Sequence, residues 1–206
     1  MEKGYRESEQ SWADLLRDIK KRGVEWIGLA VADGNTAFHK ALRMVYPSAF
    51  FQRCWAHKIR NVIDKVPRKA QAEVLEALRE IYNAHTLPEA KRLKREFIQR
   101  YRYLYPKAVR SLEEGGDALF AYFRFPKSHW KSIKTTNPIE SLFSTVKLRT
   151  RSARRLRTRI STVCLVFQIL KTSTRRLNRL RDYLSIPGTI ENLRSKNNNV
   201  KLRYAP

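Results

Sequence analysis

Cysteine is nearly missing from this 206-residue sequence, which holds only Cys54 and Cys164. Two cysteines cannot build a disulfide framework, so a cross-linked secreted scaffold is excluded and a reducing compartment is expected. Long apolar runs are missing as well. The densest, VCLVFQIL at 163–170, is far shorter than the roughly 20 residues a membrane-spanning helix needs, and Met1 opens on a polar stretch with no apolar signal core. A cytoplasmic protein with no membrane partner is the expectation. Acidic side chains are the third scarcity, and a local one: residues 141–206 carry 2 Asp or Glu against 16 Lys or Arg, whereas residues 1–50 carry 7 against 8. No internal repeat is found.

What is present is a sizeable apolar inventory, 42% hydrophobic residues with 4 Trp and 9 Phe. That is enough for one domain, or for a core with one inserted subdomain, and it excludes a disordered basic tail. The formal charge of +24 climbs toward the C-terminal end. A folded chain with that gradient implies a polyanionic partner, nucleic acid ahead of a membrane surface, because each Lys or Arg laid on a phosphate releases a counterion.

Local patterns predict the elements. Ser11 and Asp14 resemble a capping box, and Trp12, Leu15, Leu16 and Ile19 recur at helical spacing until Gly23. VEWIGLAVA at 24–32, bounded by Gly23 and Asp33-Gly34, reads as a buried strand. A helix from about Asn35 to Tyr46 and a second strand within SAFFQRC at 48–54 complete a helix, strand, helix, strand order typical of a parallel sheet. Residues 55 to about 123 show helical periodicity punctuated by Pro67, Pro88 and Pro106, the pattern of an all-helical insertion. A basic loop at 125–138 leads to two more helices, Asn137 to about Arg149 and about Thr158 to Arg181. A polar tail follows, with SKNNN at 195–199 expected to fray. The domains read are therefore 1–54, 55–134, 135–190 and a tail at 191–206.

Four positions invite chemistry. Asp33 closes the first strand, and ligands of open parallel sheets bind at the carboxyl ends of strands; the same Asp-Gly also suits a plain turn or helix cap. Glu140 is equally double. With Asn137 as N-cap and Pro138 at the first helical position it completes a variant capping box. Yet Glu140, Ser144, Lys147 and Arg151 share one helix side opposite the apolar stripe Ile139, Leu142, Phe143 and Val146. Two carboxylates facing a basic surface suit divalent metal held against phosphates. Cys54 and His57 form a C-x-x-H pair, weak as a zinc site because no second Cys or His pair at ligand spacing exists; they are expected to hold the junction of strand and insertion through a hydrogen bond from His57 to backbone. Cys164, between Val163 and Leu165, is expected in the core. Lys147, Arg149, Arg151, Arg154, Arg155, Arg157 and Arg159 crowd the link between the last two helices and are the candidate DNA contacts.

VADGNTAFHKAL, QRCWAHKIRNVIDKVP and TTNPIESLFSTVKLRTR, in this order and with a helical stretch between the second and third, closely resemble the Mutator-like transposases of bacterial insertion sequences. The resemblance runs to about residue 190. It implies a predominantly helical α/β fold, a partial ribonuclease-H-like core with an all-helical insertion. It also implies a two-metal DDE mechanism of strand cleavage and transfer with two Mg²⁺ (or Mn²⁺) ions in the complete enzyme. Asp33 matches the family's second Asp, Glu140 its Glu, and Cys54, His57 and Asn137 its signature positions. The first Asp belongs to strands that precede the helix at Ser11 to Arg22, and the sequence begins too late to contain it. This implies the C-terminal part of a transposase, from a truncated element or an internal start, inactive on its own. The partners implied are DNA, as transposon ends and target, and a second copy or a full-length transposase, in a nucleoid-associated location. A rival reading is a non-catalytic basic nucleic-acid-binding protein derived from such an enzyme. A purely structural helical module leaves the charge of +24 without a partner.

Overall fold

The first helix shows how local chemistry places the elements. The computed structural model describes residues 8–152, 158–175 and 177–203. Helix α1 is Glu9–Lys21, and its cap is Ser8, whose Oγ accepts from the Ser11 amide. The expected cap at Ser11 is thus corrected by one helical turn: Ser8 is an equally good capping side chain, and the turn gained brings Trp12 and Ala13 onto the buried face. Gly23, at φ +100°, turns the chain out of the helix.

Strand β1, Leu29–Ala32, pairs in parallel with β2, Phe50–Arg53, in the register Leu29 with Phe50 through Ala32 with Arg53. The strand expected over 24–32 therefore forms only in its second half. The Phe50 amide donates to the Gly28 carbonyl at 3.1 Å, and there the pairing stops, because Pro47 to Ala49 turn off the line of the strand. Val24 instead gives its carbonyl to the Tyr46 hydroxyl at 2.6 Å. Between the strands runs α2, Thr36–Val45, capped by Asn35, whose Oδ1 accepts from the amides of Ala37 and Phe38. Helices α1 and α2 pack through Ala13, Leu16, Ala41, Leu42, Val45 and Tyr46, with Trp12 edge-on to Phe38 at 5.2 Å.

A second and larger apolar core begins at Trp55. It is built by α3 (Trp55–Ile63), α4 (Gln71–Asn83), α5 (Leu87–Tyr101), α6 (Pro106–Glu113) and the 3₁₀ stretch Gly116–Arg124, and it buries Val74, Leu78, Ile81, Phe97, Leu112 and Leu119 among others. No strand occurs among the described residues after Arg53. Gln52, fully buried on β2, joins the sheet to this helical body: its amide donates to the Leu119 carbonyl at 3.1 Å and its oxygen accepts from the Tyr122 amide at 2.9 Å. Two lysines are sealed in the same body. Lys58 Nζ donates to the Ser111 carbonyl, and Lys134 Nζ donates to the Tyr82 carbonyl inside a ring of Tyr82, Tyr122 and Trp130.

A short helix α7 (Trp130–Ile133) leads to the hairpin of α8 (Asn137–Ser152) and α9 (Arg159–Thr174). Helix α9 ends seven residues before the expected Arg181. Cys164 is exposed rather than buried, because α9 packs on α8 and not inside a core, so an apolar helix here is not a buried one. The expected polar tail is also corrected, for Ile186–Arg203 forms helix α10. Ile186, Ile190 and Leu193 recur at helical spacing and line an apolar hollow with Trp26, Leu29, Phe125 and Ile133, which holds this helix to the body. No described helix is long and apolar enough to cross a membrane.

Candidate active site at the end of the sheet

Asp33 follows directly on β1 and Cys54 directly on β2, so both stand at the carboxyl end of the sheet, and the Cys54 amide donates to the Ala32 carbonyl at 2.7 Å. Asp33 is exposed. Its Oδ1 accepts from the Asn35 amide at 3.0 Å, the turn that ends the strand. Gly34 has φ +98°, and a Cβ there would lie 2.3 Å from Arg53 Nε, so both backbone conformation and the close guanidinium demand glycine. Arg53 in turn donates to the Glu114 carbonyl at 2.7 Å, placing a cation beside the Asp33 turn. Sequence reasoning missed Arg53; only the glycine after Asp33 hinted that something presses on that turn.

Glu140 arrives from the other end of the chain. The cap of α8 is Thr136 and not Asn137: the Thr136 carbonyl accepts from the amides of Ile139 and Glu140 at 3.0 and 3.1 Å. Glu140 is therefore one position deeper than a capping-box residue and has no cap amide to reach. Its carboxylate meets the Thr136 hydroxyl at 2.5 Å instead. The same Thr136 donates its backbone N–H to Cys54 Sγ at 3.3 Å, with its hydroxyl oxygen also 3.3 Å from that sulfur. His57 Nδ1 lies 3.3 Å from Cys54 Sγ and 3.5 Å from Glu140 Oε1. The partners of His57 are thus two side chains, which replaces the expected bond to backbone. Cys54 is fully buried, while the side chains of His57 and Glu140 keep 28% and 42% of their surface.

The structure therefore gathers Cys54, His57 and Glu140 within 4.8 Å of one another and ties them through Thr136 to the end of the sheet. Asp33 is not in that group. Asn137 is exposed at the first turn of α8, and Lys147, Arg149 and Arg151 are exposed farther along it. Arg154, Arg155 and Arg157 lie outside the described residues, and Arg159 begins α9. A large hollow of about 730 Å³, lined by His39, Arg43, Phe51, Lys91, Arg124 and Trp130 among others, contains none of these residues and is distinct from the site.

Residues 1–178 match the family model described as "Transposase, Mutator family". The chain belongs to the Mutator family of transposases. It is 40% identical over 173 residues to the transposase for insertion sequence element IS6120 of Mycolicibacterium smegmatis, an alignment covering 84% of this chain and 54% of that protein. It is 40% identical over 174 residues to the transposase for insertion sequence element IST2 of Acidithiobacillus ferrooxidans, covering 84% and 59%. With the transposase for insertion sequence element IS256 in transposon Tn4001 of Staphylococcus aureus it shares 30% over 145 residues, 69% of this chain and 37% of that protein. The chain spans little more than half the length of the first two relatives. Within this Mutator-family chain the three motifs that carry the resemblance, around Asp33, Cys54 to His57 and Glu140, are the segments that converge on the end of the sheet.

Proposed function

We propose that this chain is the C-terminal catalytic part of an insertion-sequence transposase, which cuts and joins DNA by two-metal DDE chemistry on a ribonuclease-H-like core. The observation that carries the reading is the tie from Glu140 through Thr136 and Cys54 to Ala32, the residue before Asp33. It brings the start of α8 to the strand end that bears the other candidate carboxylate. The donor set suits the ions: Asp33 and Glu140 offer carboxylate oxygens, the ligands that Mg²⁺ and Mn²⁺ prefer, and both are open to solvent. Bound there, such ions would supply charge neutralisation at phosphate and activation of the attacking hydroxyl.

The chain's own groups do the rest. Thr136 and His57 orient Glu140, Arg53 adds positive potential beside Asp33, and Lys147, Arg149 and Arg151 lay a basic face along α8 toward a DNA backbone. Two carboxylates leave one ligand of a DDE triad to be supplied, so the 206-residue chain by itself neither cleaves nor joins DNA. The direct test is a chimaera in which residues 8–178 replace the matching region of the full-length IS6120 transposase. It should cleave transposon ends in Mg²⁺ or Mn²⁺, and Asp33→Asn or Glu140→Gln should each abolish cleavage while DNA binding persists. Cleavage that survives Glu140→Gln would leave this carboxylate as a fold-holding group only.

The charge of the last third favours a second reading, a nucleic-acid-binding protein without catalysis. A chimaera that binds ends but never cleaves them would support it.

A further inference from the structure

A third side chain able to ligate a metal, Glu140, stands beside the C-x-x-H pair, 83 residues beyond His57. We propose that Cys54, His57 and Glu140 form a zinc site with three protein ligands and an open fourth position.

The distances carry the argument. A tetrahedral zinc ion with a thiolate at about 2.3 Å, an imidazole nitrogen at about 2.0–2.1 Å and a carboxylate oxygen at about 2.0–2.2 Å has ligand-to-ligand edges of about 3.5 Å for S to N and about 3.4 Å for N to O. His57 Nδ1 lies 3.3 Å from Cys54 Sγ and 3.5 Å from Glu140 Oε1, so both edges that meet at the imidazole are already set. All three ligand atoms fall within 4.8 Å of one another. The surrounding hydrogen bonds are those that orient metal ligands. Thr136 N–H points at the sulfur, and Thr136 Oγ1 holds the carboxylate at 2.5 Å, so one residue fixes two ligands at once.

The donor types select the ion. Thiolate and imidazole are poor ligands for magnesium or calcium and good ones for zinc, so this group differs in kind from the all-oxygen pair of the DNA-cleavage reading. It also removes the objection that sequence raised, because the missing ligand is a carboxylate on α8 and not a second Cys or His pair. The site requires neither DNA nor strand transfer. Because the cleavage reading uses the same carboxylate, zinc held here would keep Glu140 on the Cys54 side.

The test uses the whole 206-residue chain, titrated with Co²⁺ and then Zn²⁺. One equivalent of Co²⁺ should bind with a thiolate-to-cobalt absorption in the near ultraviolet and intense visible bands of four-coordinate cobalt, and one equivalent of Zn²⁺ should bleach both. Cys54→Ser should remove the thiolate band, and Cys164→Ser and Asp33→Asn should leave it unchanged. His57→Gln and Glu140→Gln should each weaken Zn²⁺ affinity at least about tenfold. Should Cys54→Ser fail to fold, Glu140→Gln decides the matter, since that side chain is partly exposed and its loss leaves no cavity. Absence of bound cobalt, a thiolate band lost in Cys164→Ser, a band that survives in folded Cys54→Ser, or unchanged affinity in Glu140→Gln would overturn the proposal.

Discussion

The helical body from Trp55 to Ile133 and the hairpin of α8 and α9 are both made of helices, yet they are stabilised in different ways. The body buries Trp55, Leu78, Ile81, Leu112 and Leu119 completely. Among the described side chains of α8 and α9 none is buried, and Ile139, Phe143, Leu148, Ile160 and Phe167 are more than half exposed. The body has an apolar core of its own. The hairpin is two helices packed on each other and tied down at its start, where Thr136 meets Cys54 and Glu140 meets His57. Apolar periodicity alone therefore says nothing about burial: what decides it is whether another element is there to receive the face.

The comparison breaks most visibly under truncation. Leu112→Ala in the body should cost about 2–5 kcal/mol in chemical unfolding, because a fully buried side chain leaves a cavity. Phe143→Ala on the hairpin should change stability by less than about 0.5 kcal/mol. Equal costs would mean that the hairpin shares the core. At the seam between body and sheet, Gln52→Ala should cost about 2 kcal/mol, since it strips the buried Tyr122 amide of its acceptor. An unfolding midpoint unchanged in Gln52→Ala would show that the sheet needs no such tie.

The buried lysines sharpen the contrast by pH. Burial pulls Lys58 and Lys134 each down to about 8, while an unfolded lysine titrates near 10.4. Between those values the folded body has shed protons that the unfolded chain still binds, so stability rises with pH from about 8 to 10. Above that window burial and the bond to Glu73 hold the Tyr101 hydroxyl up to about 12, which turns the slope downward. Denaturation followed across this range should show a smaller rise in Lys58→Met with Lys134→Met, the remainder belonging to Lys94, which burial also pulls down. The smallest effect on the fold, and the plainest on binding, belongs to the hairpin. Five phosphate contacts give a slope of log affinity against log salt of about −4 to −5 on duplex DNA, and replacing Lys147, Arg149 and Arg151 by Ala should flatten it by about 3 without moving the unfolding midpoint. Affinity indifferent to salt would rule out phosphate contacts by the hairpin.

Much of this was legible along the chain, and what was not has physical causes. The short parallel sheet, the helical stretch after Cys54 and the helices at α2 and α8 follow from local period and punctuation. The first half of the expected strand at 24–32 failed because pairing needs a partner, and Pro47 to Ala49 turn away from it. Thr136 was hidden in plain sight: Thr, Asn and Pro in succession offer two good caps, and only the sulfur waiting at Cys54 selects the earlier one. The meeting of His57 with Glu140 was not readable at all. Each sits in a locally sufficient motif, and the folded body between them decides whether they touch. Helix α10 was masked by its run of Asn residues, although the spacing of Ile186, Ile190 and Leu193 announced a face that could dock.

The tie from Thr136 to Cys54 spans 82 residues, and its consequence lies in the order of folding. Closing a flexible loop of that length costs about 4 kcal/mol in chain entropy, several times what one hydrogen bond to sulfur returns. The contact can persist because α3 to α7 are already folded between its ends and act as a rigid spacer. Assembly of the cluster is thus expected to follow that of the helical body: a chain whose body has not consolidated should lack the grouping of Cys54, His57 and Glu140.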